Sequence, residues 1–162
     1  MRNNPKILIA YYSWSGNTRA LAGRIAARTG GDLFEIIPAR AYPSNYQACT
    51  SQAKREIQDG LRPDITGSVP HAERYDLVFV GTPNWWSTMA PPVATFLQRH
   101  TFSPGATVIP FCTHGGGGRA RIFSDMGHLA PHVHSGGLAV YGSGSGDTEQ
   151  EVADWLDRLG IL

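Results

Sequence analysis

Strand-length apolar runs alternate with helix-spaced apolar positions along the chain, and this order limits the fold more than any other feature. Residues 6–12 (KILIAYY) form a short, nearly continuous apolar run of the kind buried on both faces of a parallel sheet. The run stops at Ser13. From Gly16 to Thr29, Leu21, Ala22, Ile25 and Ala26 recur at helical spacing, and Gly30-Gly31 supplies a stop. A second strand is predicted over 32–37, then an exit loop marked by Pro38 and Pro43 and a polar, amphipathic stretch from Asn45 to Gly60. Residues 62–73 read as connection. The third strand, 75–81 (YDLVFVG), is the clearest; Thr82-Pro83 closes it, and Val93, Phe96 and Leu97 then share one helical face. Residues 106–113 make a fourth strand that runs into four glycines. A helix is expected over 119–129, an uninterrupted strand over 132–141, a Gly/Ser loop over 142–146 and a last helix over 148–159.

Five strands alternating with five helices require right-handed crossovers and a parallel sheet covered on both faces, because each helix must bury its apolar stripe against that sheet. The 162 residues suit one α/β domain spanning 1–162, large enough to bury roughly 70% of its unfolded surface. The formal net charge is only +1 and the arginines are scattered, so no concentrated basic face invites nucleic acid or an anionic membrane. Cys49 and Cys112 lie far apart, without CxxC or Cys/His ligand spacing, which argues against a metal site and a disulfide framework. The polar residues 1–6 precede a run too short for a signal segment or a membrane span, so a cytoplasmic protein is expected.

In an open parallel sheet the ligand crevice lies beyond the carboxyl ends of the strands, where strand order reverses. At the first of those ends, Ser13-Trp14-Ser15-Gly16-Asn17-Thr18 sets hydroxyls, a glycine and an amide just before a helix, so O–H and unpaired N–H groups converge on one anion. The alternative is a plain helix cap made by Ser15 or Asn17. Other phosphate loops fit less well. The terminal Gly-Lys-Ser/Thr of a nucleoside triphosphate loop is missing, and so is the three-glycine dinucleotide fingerprint after the first strand. Gly142-Ser143-Gly144-Ser145-Gly146 mimics part of that fingerprint only late in the chain. Small hydroxyl residues without a local cation suit a monophosphate.

Tyr12-Ser13-Trp14-Ser15-Gly16-Asn17-Thr18 resembles the phosphate loop of the flavodoxin family, whose pattern is Ser/Thr-x-Ser/Thr-Gly-Asn-Thr. Gly81-Thr82-Pro83-Asn84-Trp85-Trp86 and Phe111-Cys112-Thr113-His114-Gly115-Gly116-Gly117 resemble the flavin-contacting loops of a short-chain bacterial subgroup, and Tyr42-Pro43-Ser44-Asn45-Tyr46 resembles its second loop. The resemblance implies a flavodoxin-like, doubly wound, five-stranded parallel sheet in the order 2-1-3-4-5 with helices on both faces. It implies FMN as cofactor, with the monophosphate on Ser13 to Thr18 and the isoalloxazine between the other two loops. Related flavoproteins often dimerise so that one subunit borders the other's cofactor, which leaves a homodimer open.

The residue chemistry agrees with this. Trp85 or Trp86 can border a flat ring system, and such aromatic contacts contribute roughly 0.5–1.5 kcal/mol beyond burial; simple core packing is the other reading for either one. Gly115 to Gly118 let backbone N–H groups approach a flavin edge with no Cβ in the way, or form a mobile loop. Tyr42 and Tyr46 cover the cofactor or anchor their loop. His114 donates to the flavin, relays a proton, or serves as a backbone partner.

Cys112, the glycines and Arg119 invite a phosphatase reading, but six residues separate Cys112 from Arg119, one too many, and Cys112 lies inside an apolar strand. No Gly-x-Ser-x-Gly elbow for a serine hydrolase is present. Two roles compete for the flavin. One is an NAD(P)H-dependent reductase of quinones or similar small acceptors, the other an electron shuttle between redox partner proteins. Shuttle flavodoxins are strongly acidic, and the +1 balance here favours the reductase. A binding module without catalysis is a third reading. No acid, base or nucleophile is assigned, because a flavin carries the reaction itself.

Overall fold

The structure is a computed structural model and describes residues 4–162. The chain runs β1 (Ile7–Tyr11), α1 (Asn17–Thr29), β2 (Asp32–Glu35), β3 (Ile37–Pro38), α2 (Tyr46–Gln58), β4 (Ile65–Thr66), β5 (Leu77–Trp85), β6 (Thr88–Met89), α3 (Pro91–Arg99), β7 (Thr107–His114), α4 (Ile122–Gly127), β8 (Leu138–Tyr141) and α5 (Thr148–Arg158), with a short 3-10 turn at Ala72–Arg74. The main sheet has the order β2-β1-β5-β7-β8, and these five strands are parallel. This is the expected 2-1-3-4-5 arrangement.

Period-two alternation along each strand sends side chains to two separate cores. Ile7, Ile9, Phe79, Ile109 and Phe111 pack against Leu21, Ala22 and Ile25 of α1 and Val152, Trp155 and Leu156 of α5. Leu8, Ala10, Val78, Val80 and Val108 face the other way, onto Val93, Phe96 and Leu97 of α3 and Met126 of α4. Phe79, Phe96 and Phe111 are fully buried, and each such ring contributes roughly 1.5–3 kcal/mol through burial. Among the described residues, no helix is long and apolar enough to cross a membrane.

Several boundaries differ from expectation, each for a local reason. The strand expected over 32–37 breaks at Ile36, whose N–H donates to the Tyr11 carbonyl at 2.7 Å. Ile37–Pro38 then leaves the main sheet and pairs antiparallel with Ile65–Thr66, so the stretch 62–73 holds a strand instead of plain connection. Pro38 sits in a two-residue ladder, where a missing N–H is tolerated. Thr82-Pro83 does not close the third strand. β5 continues to Trp85, pairing Thr82 with Cys112 and Pro83 with Thr113 before folding back on β6.

The β5–β6 turn consists of Trp86 (φ 54°) and Ser87 (φ 70°), both left-handed. Hairpins of this kind normally use Asn-Gly, and a left-handed non-glycine residue costs about 1–3 kcal/mol, so nothing in the sequence announced the turn. The helix expected over 119–129 shrinks to α4, because Ala120 is left-handed and Arg121 donates its N–H to the Ser87 carbonyl at 3.0 Å. The strand expected over 132–141 is interrupted. Val133 bridges Val108, then the chain turns away before β8 begins at Leu138. Gly136 holds that turn, its N–H donating to His134 Nδ1 at 2.8 Å and its carbonyl accepting from Trp155 Nε1 at 2.7 Å.

Candidate functional site

The carboxyl ends of β1, β5, β7 and β8 converge on one cleft of about 570 Å³, beside the point where β2 and β5 leave β1 in opposite directions. Its wall combines Trp14, Ser15 and Asn17 from the first loop, Tyr46 from α2, Pro83, Asn84, Trp85 and Trp86 from the β5–β6 hairpin, and Thr113, His114 and Gly115 from the end of β7. These are eleven of the residues singled out in the sequence. Five more complete the wall: Cys49, Thr50 and Ala53 on α2, and Tyr141 and Gly142 after β8. Sequence reasoning missed these five, yet two signals were present. Positions 46, 49, 50 and 53 form one helical stripe, and Tyr141 ends a parallel strand at the ligand-binding edge.

The first loop is shaped as an anion nest. Gly16 is left-handed (φ 102°) and its N–H donates to Ser13 Oγ at 3.1 Å, which bends the chain just before α1. Gly16, not Ser15 or Asn17, holds the cap position, and among the described residues no side chain caps that helix, so the plain cap reading fails. Among the described residues, the N–H groups of Trp14, Ser15, Asn17 and Thr18 find no acceptor within the chain. Donors left over at a helix start attract an anion, and the helix dipole adds to the attraction. Arg19, the cation on the first turn, is already paired with Glu35. Thr18 lies behind the cleft, almost wholly buried, and its Oγ1 shares a 2.7 Å hydrogen bond with Thr113 Oγ1.

The opposite wall is aromatic. Trp85 is half-buried and meets Tyr42 (4.9 Å, 87°) and Tyr12 (5.4 Å, 82°) edge-on, so its orientation is fixed from behind. Trp86, Tyr46 and Tyr141 are exposed at 49%, 70% and 68%, three of the most exposed large apolar side chains described, and all three border this cleft. Trp14 leans on Tyr46 (6.3 Å) and donates Nε1–H to the Pro43 carbonyl at 3.1 Å. A flat, partly apolar ring with a phosphate on a short tail fits such a cleft: unpaired N–H groups at one end, aromatic faces at the other.

Other residues singled out in the sequence lie off the cleft wall. Thr82 is fully buried, its Oγ1 accepting from the Ala90 N–H (2.9 Å) and donating to the Pro83 carbonyl (2.8 Å). Tyr42 is buried, donates its hydroxyl to Glu56 Oε1 and borders the neighbouring cleft with Ser13; burial, then the Glu56 carboxylate, raises its pKa. It anchors its loop and backs Trp85. Gly116 and Gly117 stand beyond the rim, and the Gly116 N–H donates to His114 Nδ1 at 3.1 Å. With Nδ1 accepting, a neutral His114 carries its proton on Nε2. Its ring meets Tyr141 edge-on at 5.9 Å.

Cys112 is fully buried, and burial pushes its thiol up to about 12, so a thiolate nucleophile is not available there. Among the described residues, no group of three or more His, Cys, Asp or Glu side chains is gathered to hold a metal ion. Among the described residues, no Asp, Glu, Lys or Arg lines the cleft.

Known proteins share this fold. A model of the flavodoxin family matches residues 6–159. The structure is similar to the crystal structure of a protein from Bacteroides eggerthii, with a TM-score of 0.84, 30% identity, and coverage of 98% of this chain and 100% of that one. It is also similar to a flavoprotein from Lactobacillus acidophilus solved in complex with FMN, with a TM-score of 0.72, 26% identity, and coverage of 93% and 98%. In sequence it is 26% identical over 155 residues to an NAD(P)H dehydrogenase (quinone) from Cupriavidus metallidurans, covering 83% of this chain and 75% of that protein. The strand order, the nest after β1 and a family match over nearly the whole chain converge on one conclusion: this protein belongs to the flavodoxin family.

Proposed function

We propose that this protein binds FMN in the cleft at the strand ends and acts as an NAD(P)H-dependent reductase of quinones or similar small acceptors. The single observation that carries the reading is the cleft itself: a nest of unpaired N–H groups joined to an aromatic wall, lined by no Asp, Glu, Lys or Arg among the described residues. Bound FMN supplies the hydride- and electron-transfer chemistry.

The chain's own residues bind and orient. The loop from Ser13 to Thr18 would hold the monophosphate through backbone N–H groups and the Ser15 and Asn17 side chains. Trp85, fixed by Tyr12 and Tyr42, would border the ring system, with Trp14, Tyr46, Trp86 and Tyr141 at the mouth excluding water. His114, with its proton on Nε2, and Gly115 would offer donors where negative charge develops on reduction. The uncharged lining supports a neutral, flat acceptor over a charged protein partner. Identity to the Cupriavidus metallidurans enzyme supports NAD(P)H as donor and a quinone as acceptor.

Steady-state turnover of a quinone with NADH or NADPH tests the reading. Saturable turnover by the FMN-loaded protein is the expected result. Absence of turnover, together with efficient reduction by a ferredoxin-type reductase, would instead assign the electron-shuttle role.

A further inference from the structure

Asn84 sits between the two loops that flank the cleft and bonds to both. Its Oδ1 accepts the Ser87 N–H at 3.0 Å, and its Nδ2 donates to the Gly118 carbonyl at 2.8 Å. One partner is a donor and the other an acceptor, so the carboxamide is held in one orientation and no isosteric side chain can satisfy both. Gly117 approaches closely enough that a Cβ there would lie 3.2 Å from Asn84 Nδ2.

The turn that Asn84 grips is the strained one, with Trp86 and Ser87 both left-handed. Two further ties reach the same turn. Arg121 donates its N–H to the Ser87 carbonyl at 3.0 Å, and Trp86 Nε1 donates to the Thr50 carbonyl at 2.9 Å. The Arg121 tie joins the turn to the α4 end of the β7–α4 loop, whereas the Asn84–Gly118 bond joins the hairpin to the glycine end, which carries Gly115 at the cleft wall.

We propose that Asn84 is a positioning residue that locks the Trp86-Ser87 turn and the Gly115–Gly118 loop into one rigid wall, so that both stand in their binding geometry before the cofactor arrives. The inference rests on the FMN reading for its functional consequence, while the clasp itself can be tested without the cofactor. Preorganised donors cost no reordering when charge develops beside them, so loss of the clasp should weaken binding and make reduction harder.

Two variants separate the halves of the clasp. Asn84→Ala removes both bonds; Asn84→Asp keeps an acceptor for the Ser87 N–H but sets an oxygen against the Gly118 carbonyl. In the apo protein, amide hydrogen exchange at Ser87 should be slow in wild type and in Asn84→Asp, and fast in Asn84→Ala. In the FMN-loaded protein, both variants should bind FMN about tenfold more weakly, the scale of one buried hydrogen bond, and the bound flavin's reduction potential should be more negative. If Asn84→Ala does not fold, Asn84→Asp carries the binding and potential readouts alone. Unchanged affinity and potential in a folded variant, with wild type binding FMN, would overturn the inference. Should wild type fail to bind FMN, the functional proposal falls, and unchanged Ser87 exchange in Asn84→Ala would then overturn the clasp as well.

Discussion

Thr18 and Thr113, 95 positions apart, share a 2.7 Å hydrogen bond between their Oγ1 atoms, and both are almost completely buried. The pair joins the first turn of α1 to the end of β7, and therefore fixes the spacing between the phosphate nest and the loop that carries His114. Thr113→Val would leave the Thr18 hydroxyl buried without its partner, which costs about 1–3 kcal/mol. Denaturant unfolding of the apo protein should show this loss, and the double variant Thr18→Val/Thr113→Val should lose less than the sum of the two single changes. Strict additivity would remove the coupling.

Gly81 lies where β5 passes closest to the Phe111 ring. A Cβ there would come within 2.2 Å of that ring, which is fully buried and unable to swing out. Gly81→Ala should lower stability by about 1–3 kcal/mol or more, and the melting temperature by about 2–4 °C per kcal/mol for a chain of this size. Adding Phe111→Leu, which removes the ring edge, should restore part of the loss. A melting temperature equal to wild type in Gly81→Ala would contradict the packing described.

The nest is built from dipoles, and its neighbouring cation, Arg19, is already paired with Glu35, so among the described residues none lines the nest to offset a negative charge placed in it. Asn17→Asp should weaken FMN binding by about 1–4 kcal/mol, the range for two like charges about 4 Å apart between protein-surface and bulk-water screening. Ser15→Ala should be milder, about 1 kcal/mol for one hydrogen bond. Calorimetric titration of the variants checks the order. Equal affinity in Asn17→Asp and wild type would take the phosphate away from this loop.

Burial lifts the Cys112 thiol from 9.0 to about 12 in the folded chain. The folded form keeps its proton where the unfolded chain has lost it. The stability linked to this group is therefore complete below about pH 9 and declines as pH rises towards 12, by at most about 1.4 kcal/mol per pH unit. Tyr12 and Tyr42, also raised by burial, add the same trend above pH 10. Unfolding free energy measured between pH 9 and 10 should fall less steeply in Cys112→Ala than in wild type. Identical slopes would mean that this thiol ionises equally in both states.

Most of the sheet and much of the cleft were legible because their causes are local. KILIAYY and YDLVFVG are two-sided buried strands by composition, and Ser13 to Thr18 follows the first of them at the ligand-binding edge. What escaped depends on contacts between distant segments. The Trp86-Ser87 turn lacks the usual turn residues and is held by Asn84, Arg121 and Thr50. The break before β8 depends on Trp155 reaching back to Gly136, and the β3–β4 pair joins segments 28 residues apart. Tyr42, Thr82 and Tyr46 show the same limit at the site. Their types suited a flavin equally well, but only the packing separates the rim residue, Tyr46, from the two buried supports.

Titration of FMN and, separately, riboflavin into the purified apo protein, followed by flavin fluorescence, tests the central claim most directly. The two ligands differ only in the phosphate that the nest after β1 is built to hold. The account predicts saturable, one-to-one quenching with FMN and binding of riboflavin about 10- to 100-fold weaker, the scale of one or two hydrogen bonds to a charged group. Absence of quenching with FMN, or equal affinity for the two, would contradict it.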